Sequence, residues 1–244
     1  MTATRPGLAR RLLDRMLVTG EIVEVEEVAP RMRRIRIGGE ALAGLSWTPG
    51  QHVRVLIGDG GGLLGGVLRT YSVWAHDPTW EALDLIGLDH GGDAPGARWV
   101  RAAAPGQEVA FTRPDGSFVL REEARYHLFA GEETAAVAFG AMLRALPREA
   151  AAYGVVEAER PGDHLGLPRE LTRVCREGAL AAGSAVLVDA VRALDLPDRP
   201  GVAYLAGEAR TVQAIRAHLV HERGWSRRDV RTKPFWTPGR RGLD

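Results

Sequence analysis

Tyr126-His127-Leu128-Phe129-Ala130-Gly131 runs directly into Glu132-Glu133-Thr134-Ala135, after which apolar residues recur at Phe139, Met142, Leu143 and Leu146. An unbroken apolar run that stops at glycine reads as a buried strand, and the spacing that follows puts four apolar side chains on one helix face. Further along, residues 153–158 read as strand, 184–194 as helix, 202–206 as strand and 208–222 as helix, with Val212, Ile215 and Leu219 in register. Strands alternating with helices imply a parallel sheet covered by helices. Upstream of Arg125 the rhythm is different. Residues 17–28, 32–37, 52–57, 68–74, 83–88 and 108–111 are short β-prone runs separated by Gly and Pro, as in a sandwich or small barrel. Within the second run Ile35 and Ile37 fall on one face and Arg34 and Arg36 on the other, the period of a half-buried strand. The rhythm changes between residues 119 and 125, which predicts domains over 1–122 and 123–244, with 1–16 as an N-terminal tail.

The 244 residues include 32 basic and 31 acidic side chains, for a formal net charge of +1, and 45% are hydrophobic. Two cores can be filled from that content. The charge balance gives no reason to expect nucleic acid or an anionic membrane as partner. Lys233 is the only lysine and asparagine is absent, a pattern of codon bias that takes weight away from the abundance of Arg. Cys175, the single cysteine, can form no internal disulfide and cannot by itself hold an iron–sulfur cluster. Redox chemistry would therefore need an organic cofactor. Arg10-Arg11 followed by Leu12-Leu13 is similar to the start of a twin-arginine export signal, but Asp14 and Arg15 interrupt it and no apolar stretch of signal length follows. The expected location is the cytoplasm, without a membrane span.

Gly60, Gly62 and Gly65 spell a G-x-G-x-x-G. That motif binds a pyrophosphate only where a helix begins behind it, and here the β-prone run Val67-Leu68-Arg69-Thr70-Tyr71-Ser72-Val73-Trp74 follows. The glycines are therefore expected to form a hairpin loop. In the run itself Arg69 and Tyr71 share one face and Ser72 turns to the other. A flavin could use all three: a cation for its pyrophosphate, a ring to pack on its isoalloxazine or ribityl part, and a hydroxyl for its polar edge. An ordinary strand with a surface Arg and a core Tyr would look the same. Some twenty residues on, Asp89-His90-Gly91-Gly92-Asp93-Ala94-Pro95-Gly96-Ala97-Arg98-Trp99 reads as a Gly-rich turn entering a short helix. Consecutive amides and a helix start of this kind suit an anion. His90 as a self-bonded turn residue and Trp99 as a core anchor are the plainer alternatives.

Arg69-Thr70-Tyr71-Ser72-Val73, His90-Gly91 with Pro95 and Arg98-Trp99, Pro105-Gly106 and Pro114-Asp115-Gly116-Ser117-Phe118 resemble, in that order, the FAD-binding half of siderophore-interacting proteins in the ferredoxin-reductase-like superfamily. Ala130-Gly131-Glu132-Glu133-Thr134-Ala135 resembles that family's A-G-D-E-T-A turn, and Ala206-Gly207-Glu208-Ala209 its A-G-E-A turn. Phe235-Trp236 stands where the family has an aromatic pair after the last strand. The likeness extends from about residue 20 to 239. The chain departs from the pattern at Trp74, usually Arg, at Glu132, usually Asp, at Thr112-Arg113, where a glycine usually precedes the proline, and at Lys233-Pro234, where a glycine is usual.

The resemblance implies an N-terminal antiparallel FAD-binding β-barrel followed by an α/β parallel-sheet domain that binds NAD(P)H. It implies electron flow from NAD(P)H through FAD to a ferric siderophore; ferredoxin as an alternative donor stays open from sequence. The cofactor residues it implies are Arg69, Thr70, Tyr71, Ser72, Val73, His90, Gly91, Pro95, Gly96, Trp99, Gly116 and Ser117 for FAD, and Gly131, Thr134, Gly207, Glu208, Phe235 and Trp236 near the nicotinamide. Phe235 and Trp236 could equally close the core of the second domain. Arg54, Lys233, Arg240 and Arg241 are candidates for a basic rim that meets an anionic substrate. No side chain is expected to act as a general acid or base. No protein metal site is expected either, His218 and His221 reading as a solvated helix face. A flavoprotein with another acceptor and a non-enzymatic siderophore-binding accessory both remain open from sequence.

Overall fold

The computed structural model describes residues 17–58, 66–121 and 123–240. The glycine motif at 60, 62 and 65, the arginine pair at 10 and 11, and Arg241 lie outside the described residues. The chain divides into two units. The first comprises Met1–Glu26 and Arg33–Gly116, the second Glu27–Met32 and Ser117–Asp244.

Strands β1 (Leu17–Ala29), β2 (Met32–Gly38), β3 (His52–Ile57), β4 (Val67–Asp77), β5 (Ala82–Leu88) and β6 (Glu108–Thr112) close a barrel in the order β1-β2-β5-β4-β3-β6. The β3–β4, β4–β5 and β1–β6 ladders are antiparallel. Closure leaves no sheet edge unpaired. Alternation fills the interior: Ile22, Ile35, Ile37, Val53, Val55, Val73, Leu83, Leu85 and Phe111 form one core. Each large side chain so buried contributes roughly 1.5–3 kcal/mol. One short helix, α1 (Pro95–Ala102), lies in the β5–β6 connection. Gly87 in β5 lets it dock, because a Cβ there would come within 2.3 Å of Val100 Cγ2.

The second unit is a five-stranded sheet in the order β11-β10-β7-β8-β9, from β7 (His127–Glu132), β8 (Ala152–Ala158), β9 (Thr172–Cys175), β10 (Val202–Glu208) and β11 (Val230–Trp236). All of its ladders are parallel. Helices α2 (Glu133–Ala145), α3 (Ala185–Arg192) and α4 (Ala209–Ala217) connect the strands. Strand β7 is buried on both faces, and its alternate residues enter two different cores. Leu128 and Ala130 join Leu187, Val191, Val212 and Ile215 from α3 and α4. Phe129 joins Phe139, Met142 and Leu143 from α2.

Sequence patterning placed the central elements and missed the last strand of the sheet at each edge. Strand β9 is four residues of mixed polarity, and β11 carries Arg231, Lys233 and Pro234, so neither shows the apolar run of a buried parallel strand. The aromatic pair ends β11 and does not follow it. The helix expected over 208–222 is α4 continued by a π turn over His218–Glu222. His218 is buried there, so it does not belong to a solvated face. Its Nδ1 lies 2.8 Å from a Glu222 carboxylate oxygen and its Nε2 accepts from Arg223 Nε at 3.0 Å.

Candidate functional site

In the barrel unit, strand register decides what Arg69 and Tyr71 face. Arg69 lies opposite Val55 and Tyr71 opposite Val53. Directly opposed residues project to the same side, so both side chains are on the face of the barrel core. Tyr71 packs against that core together with Trp99 of α1, their ring centroids 5.0 Å apart at 51°. The Tyr71 hydroxyl donates to the Gly96 carbonyl at 3.3 Å, and burial holds its pKa well above the usual tyrosine value. Tyr71 is thus a neutral donor at any ordinary pH.

Gly96 is the close-approach point. A Cβ there would stand 3.2 Å from the Tyr71 hydroxyl, 3.7 Å from Arg69 Cγ and 3.9 Å from Arg69 Cδ. Helix α1 starts at Pro95, and its N-cap, Ala94, offers no side-chain hydrogen bond. An uncapped helix start with an arginine stem beside it is a place for an anion. The residues present therefore fit the pyrophosphate of a flavin dinucleotide.

Thr70 and Ser72 point the other way. They lie opposite Arg54 and His52 on β3, and Val73 is buried in the core. The turn ahead of α1 bends at Gly91 (φ 78°) and Gly92 (φ 69°). Its amides are not all available to a ligand: Asp89 Oδ1 accepts the Gly91 N–H at 2.9 Å, and Arg101 bonds Asp89 and the Gly92 carbonyl. His90 is exposed. Gly116 adopts φ 118°, and a Cβ there would come within 2.9 Å of the His52 ring. Ser117, which begins the second unit, accepts a hydrogen bond from Arg231 through its carbonyl at 2.6 Å.

In the second unit the strand order reverses between β7 and β10, and ligands of open parallel sheets bind beyond the carboxyl ends of strands at such a point. Gly131, Glu132, Thr134, Gly207, Glu208 and Trp236 all gather there. Gly131 cannot carry a side chain, since a Cβ would meet the Ala206 carbonyl at 2.4 Å. Glu132 caps α2: it accepts Thr134 N–H at 2.8 Å, the Thr134 hydroxyl at 2.5 Å and Trp236 Nε1–H at 3.0 Å. Burial raises its pKa to about 7 against the pull of those donors. Glu208 caps α4, accepting from the backbone N–H groups of Gly183, Arg210 and Thr211 at 2.9–3.0 Å. There the amides outweigh burial, and its pKa lies below the usual carboxylate value. Trp236 thus serves the switch point, while Phe235 packs on the α2-side core. Lys233 lies opposite Ala206 on β10, and Arg240 follows β11.

Next to this point lies a buried ionic network that sequence reasoning missed. Arg176 bonds Glu133 at 2.6 and 2.8 Å, Glu157 at 3.3 Å and Glu159 at 3.0 Å. Arg31 reaches Glu133 at 2.9 Å and Asp163 at 3.4 Å. Burial opposes ionisation of Glu133, but Arg176 turns the net shift downward. Glu157, which also accepts from the Ser184 hydroxyl, stays raised by burial. The only local signal was the pair Glu132-Glu133 at a helix start. Nothing around Arg176 marks it in a chain so rich in arginine.

Two family models match: the siderophore-interacting FAD-binding domain over residues 64–118 and the siderophore-interacting protein model over residues 124–239. The chain belongs to the siderophore-interacting protein family. This family member is 26% identical to the ferric vibriobactin reductase ViuB of Vibrio cholerae, over 94% of this chain and 92% of that one. A siderophore utilization protein from T. fusca superposes with a TM-score of 0.82 at 26% identity, covering 93% and 95% of the two chains. SipS, a siderophore-interacting protein from Aeromonas hydrophila, shares the fold at a TM-score of 0.79 and 22% identity, covering 93% of each. Phthalate dioxygenase reductase shares it more distantly, at a TM-score of 0.71 and 14% identity over 93% of this chain and 70% of that one. Among the described residues, no helix is long and apolar enough to cross a membrane.

Proposed function

We propose that this protein is an FAD-dependent ferric-siderophore reductase that takes electrons from NAD(P)H and delivers them to the Fe(III) of a siderophore. The observation that carries this reading is the meeting of Arg69, Tyr71 and the uncapped start of α1 at Gly96, in the part of the chain that matches the family's FAD-binding domain. The likeness to the ferric vibriobactin reductase supports the acceptor, and the reductase-like sheet supports a pyridine-nucleotide donor.

When bound, FAD supplies the conversion between a two-electron hydride and the single electrons that Fe(III) accepts. The chain's own residues hold and orient. Arg69 and the α1 amides would pair with the pyrophosphate, Tyr71, its hydroxyl bonded to the Gly96 carbonyl, would pack along the ribityl and ring system, and the backbone of Thr70, Ser72 and Val73 would border the ring edge. His90, Gly91, Pro95 and Trp99 would shape the wall of the site in the barrel unit, and Gly116 and Ser117 are further candidates to meet the cofactor. Gly131, Thr134, Gly207, Glu208 and Trp236, at the switch point, would meet the nicotinamide. Arg54 in the first unit, and Lys233, Arg240 and Arg241 in the second, are each candidates to attract an anionic ferric complex. Iron leaves once reduced, because Fe(II) has the lower charge and suits hard oxygen ligands poorly.

The test is steady-state oxidation of NADH and NADPH by the FAD-loaded protein, with a ferric hydroxamate or catecholate and a ferrous chelator present. Nucleotide oxidation that depends on the ferric complex and is matched by chelated Fe(II) is the expected result. Oxidation that proceeds equally without the ferric complex would assign a different acceptor.

A further inference from the structure

At an anion-binding helix start the first free amides point at the ligand. At the start of α4 those amides are bonded within the chain, and at the start of α2 the Thr134 amide is. Glu132, 3% exposed, holds the Thr134 amide, and Glu208, 1% exposed, holds the amides of Arg210, Thr211 and Gly183. The Glu132 carboxylate also fills the space between the strand ends: a Cβ on Gly207 would come within 2.6 Å of Glu132 Oε1. Trp236 and the Thr134 hydroxyl fix it in that place. A pyrophosphate arriving at α2 or α4 would have to displace a bonded carboxylate and sit beside the other.

We propose that Glu132 and Glu208 are specificity-determining residues that exclude a pyrophosphate from the starts of α2 and α4, so that a pyridine dinucleotide meets this unit through its nicotinamide and hydroxyl-bearing parts and not through its phosphates. This rests on the reading of NAD(P)H as donor. It separates the two ends of the dinucleotide chemically: carboxylates accept hydrogen bonds from ribose hydroxyls and a carboxamide N–H, and repel phosphate oxygens.

The experiment is isothermal titration, at a pH above the Glu132 pKa of about 7, of the FAD-loaded, full-length protein with inorganic pyrophosphate and, separately, with NADP⁺, for wild type, Glu132→Ser and Glu132→Gln. Serine keeps a cap for the α2 amide while removing charge and bulk, and glutamine removes the charge in nearly the same shape. The expected result is that pyrophosphate does not displace NADP⁺ from wild type, and that its affinity rises at least about tenfold in Glu132→Ser and by a smaller factor in Glu132→Gln. Wild-type affinity for pyrophosphate equal to that of a folded variant would overturn the proposal. If the serine variant does not fold, an unchanged pyrophosphate affinity in the glutamine variant overturns it by itself. Flavin reduction by NADPH, followed on the same wild-type sample, tests the donor reading separately: its absence removes NADPH as donor, while the pyrophosphate comparison still decides the role of Glu132.

Discussion

Helix α1 of the barrel and helix α2 of the sheet both begin where a cofactor phosphate is conventionally held, yet they are built in opposite ways. The start of α1 has alanine for a cap and Arg69 alongside. The start of α2 has a buried glutamate for a cap, and a second glutamate follows it into an ionic network. Backbone geometry alone would make these two sites equivalent. Side chains at the cap and one strand away make one a receptor for anions and give the other an anion of its own.

The harshest way to break the comparison is to take away the cation that holds the second unit's carboxylates. Arg176→Met takes from the buried Glu133 and Glu157 the one cation they share, leaving Arg31 on Glu133 and the Ser184 hydroxyl on Glu157, which should cost about 3–5 kcal/mol of stability. Chemical denaturation would report it, and a loss below about 1 kcal/mol would show that the network relaxes or that Arg31 replaces Arg176.

In the barrel unit the corresponding change removes binding and leaves folding. Arg69→Ala should weaken FAD by roughly tenfold to a hundredfold, the equivalent of about 1.5–3 kcal/mol for a charge-assisted contact. Flavin fluorescence titration measures this directly, and unchanged affinity would remove Arg69 from the site.

Protons should sharpen the contrast. The Glu132 pKa rises on folding from 4.5 to about 7, so between those values the folded state binds more protons than the unfolded state. Its contribution to stability therefore falls as pH rises from about 4.5 to 7. The adjacent Glu133, shifted downward from 4.5, acts in the opposite direction and below that window. The informative quantity is thus the difference between wild type and Glu132→Gln: the variant should lose less stability over that window, by on the order of 1–3 kcal/mol. Parallel pH profiles would contradict this assignment.

A pair of glycines gives the finest comparison. Gly207→Ala forces a side chain against Glu132 at φ 113° and should destabilise the protein by about 1–3 kcal/mol. Gly96→Ala meets the Tyr71 hydroxyl at 3.2 Å and the Arg69 stem at 3.7 Å, without a positive φ, and should change stability by less than about 1 kcal/mol, while measurably weakening FAD. Thermal melts with and without flavin distinguish the two, and equal destabilisation would erase the distinction.

What the sequence made legible follows the same division. The barrel strands, β7, α2 and β10 announce themselves by period and by glycine punctuation, because each buries a regular face. That Arg69 and Tyr71 share a strand face and that a helix starts at Pro95 was readable because both patterns are local. The meeting of Glu132 with Trp236 spans 104 residues and that of Arg176 with Glu133 spans 43. Neither leaves a periodic trace, and both depend on strand order. The glycine turn before α1 was readable as a turn, but the occupation of its Gly91 amide by Asp89 came from side-chain direction, which spacing does not encode.

The most direct test of the proposed function is a single turnover without oxygen. The FAD-loaded protein is reduced, a ferric hydroxamate or catecholate is added together with a ferrous chelator, and the flavin absorbance is followed. The account predicts flavin reoxidation with two Fe(II) captured per fully reduced flavin. A flavin that remains reduced with every ferric complex tried would contradict the assignment of Fe(III)-siderophore as the electron acceptor.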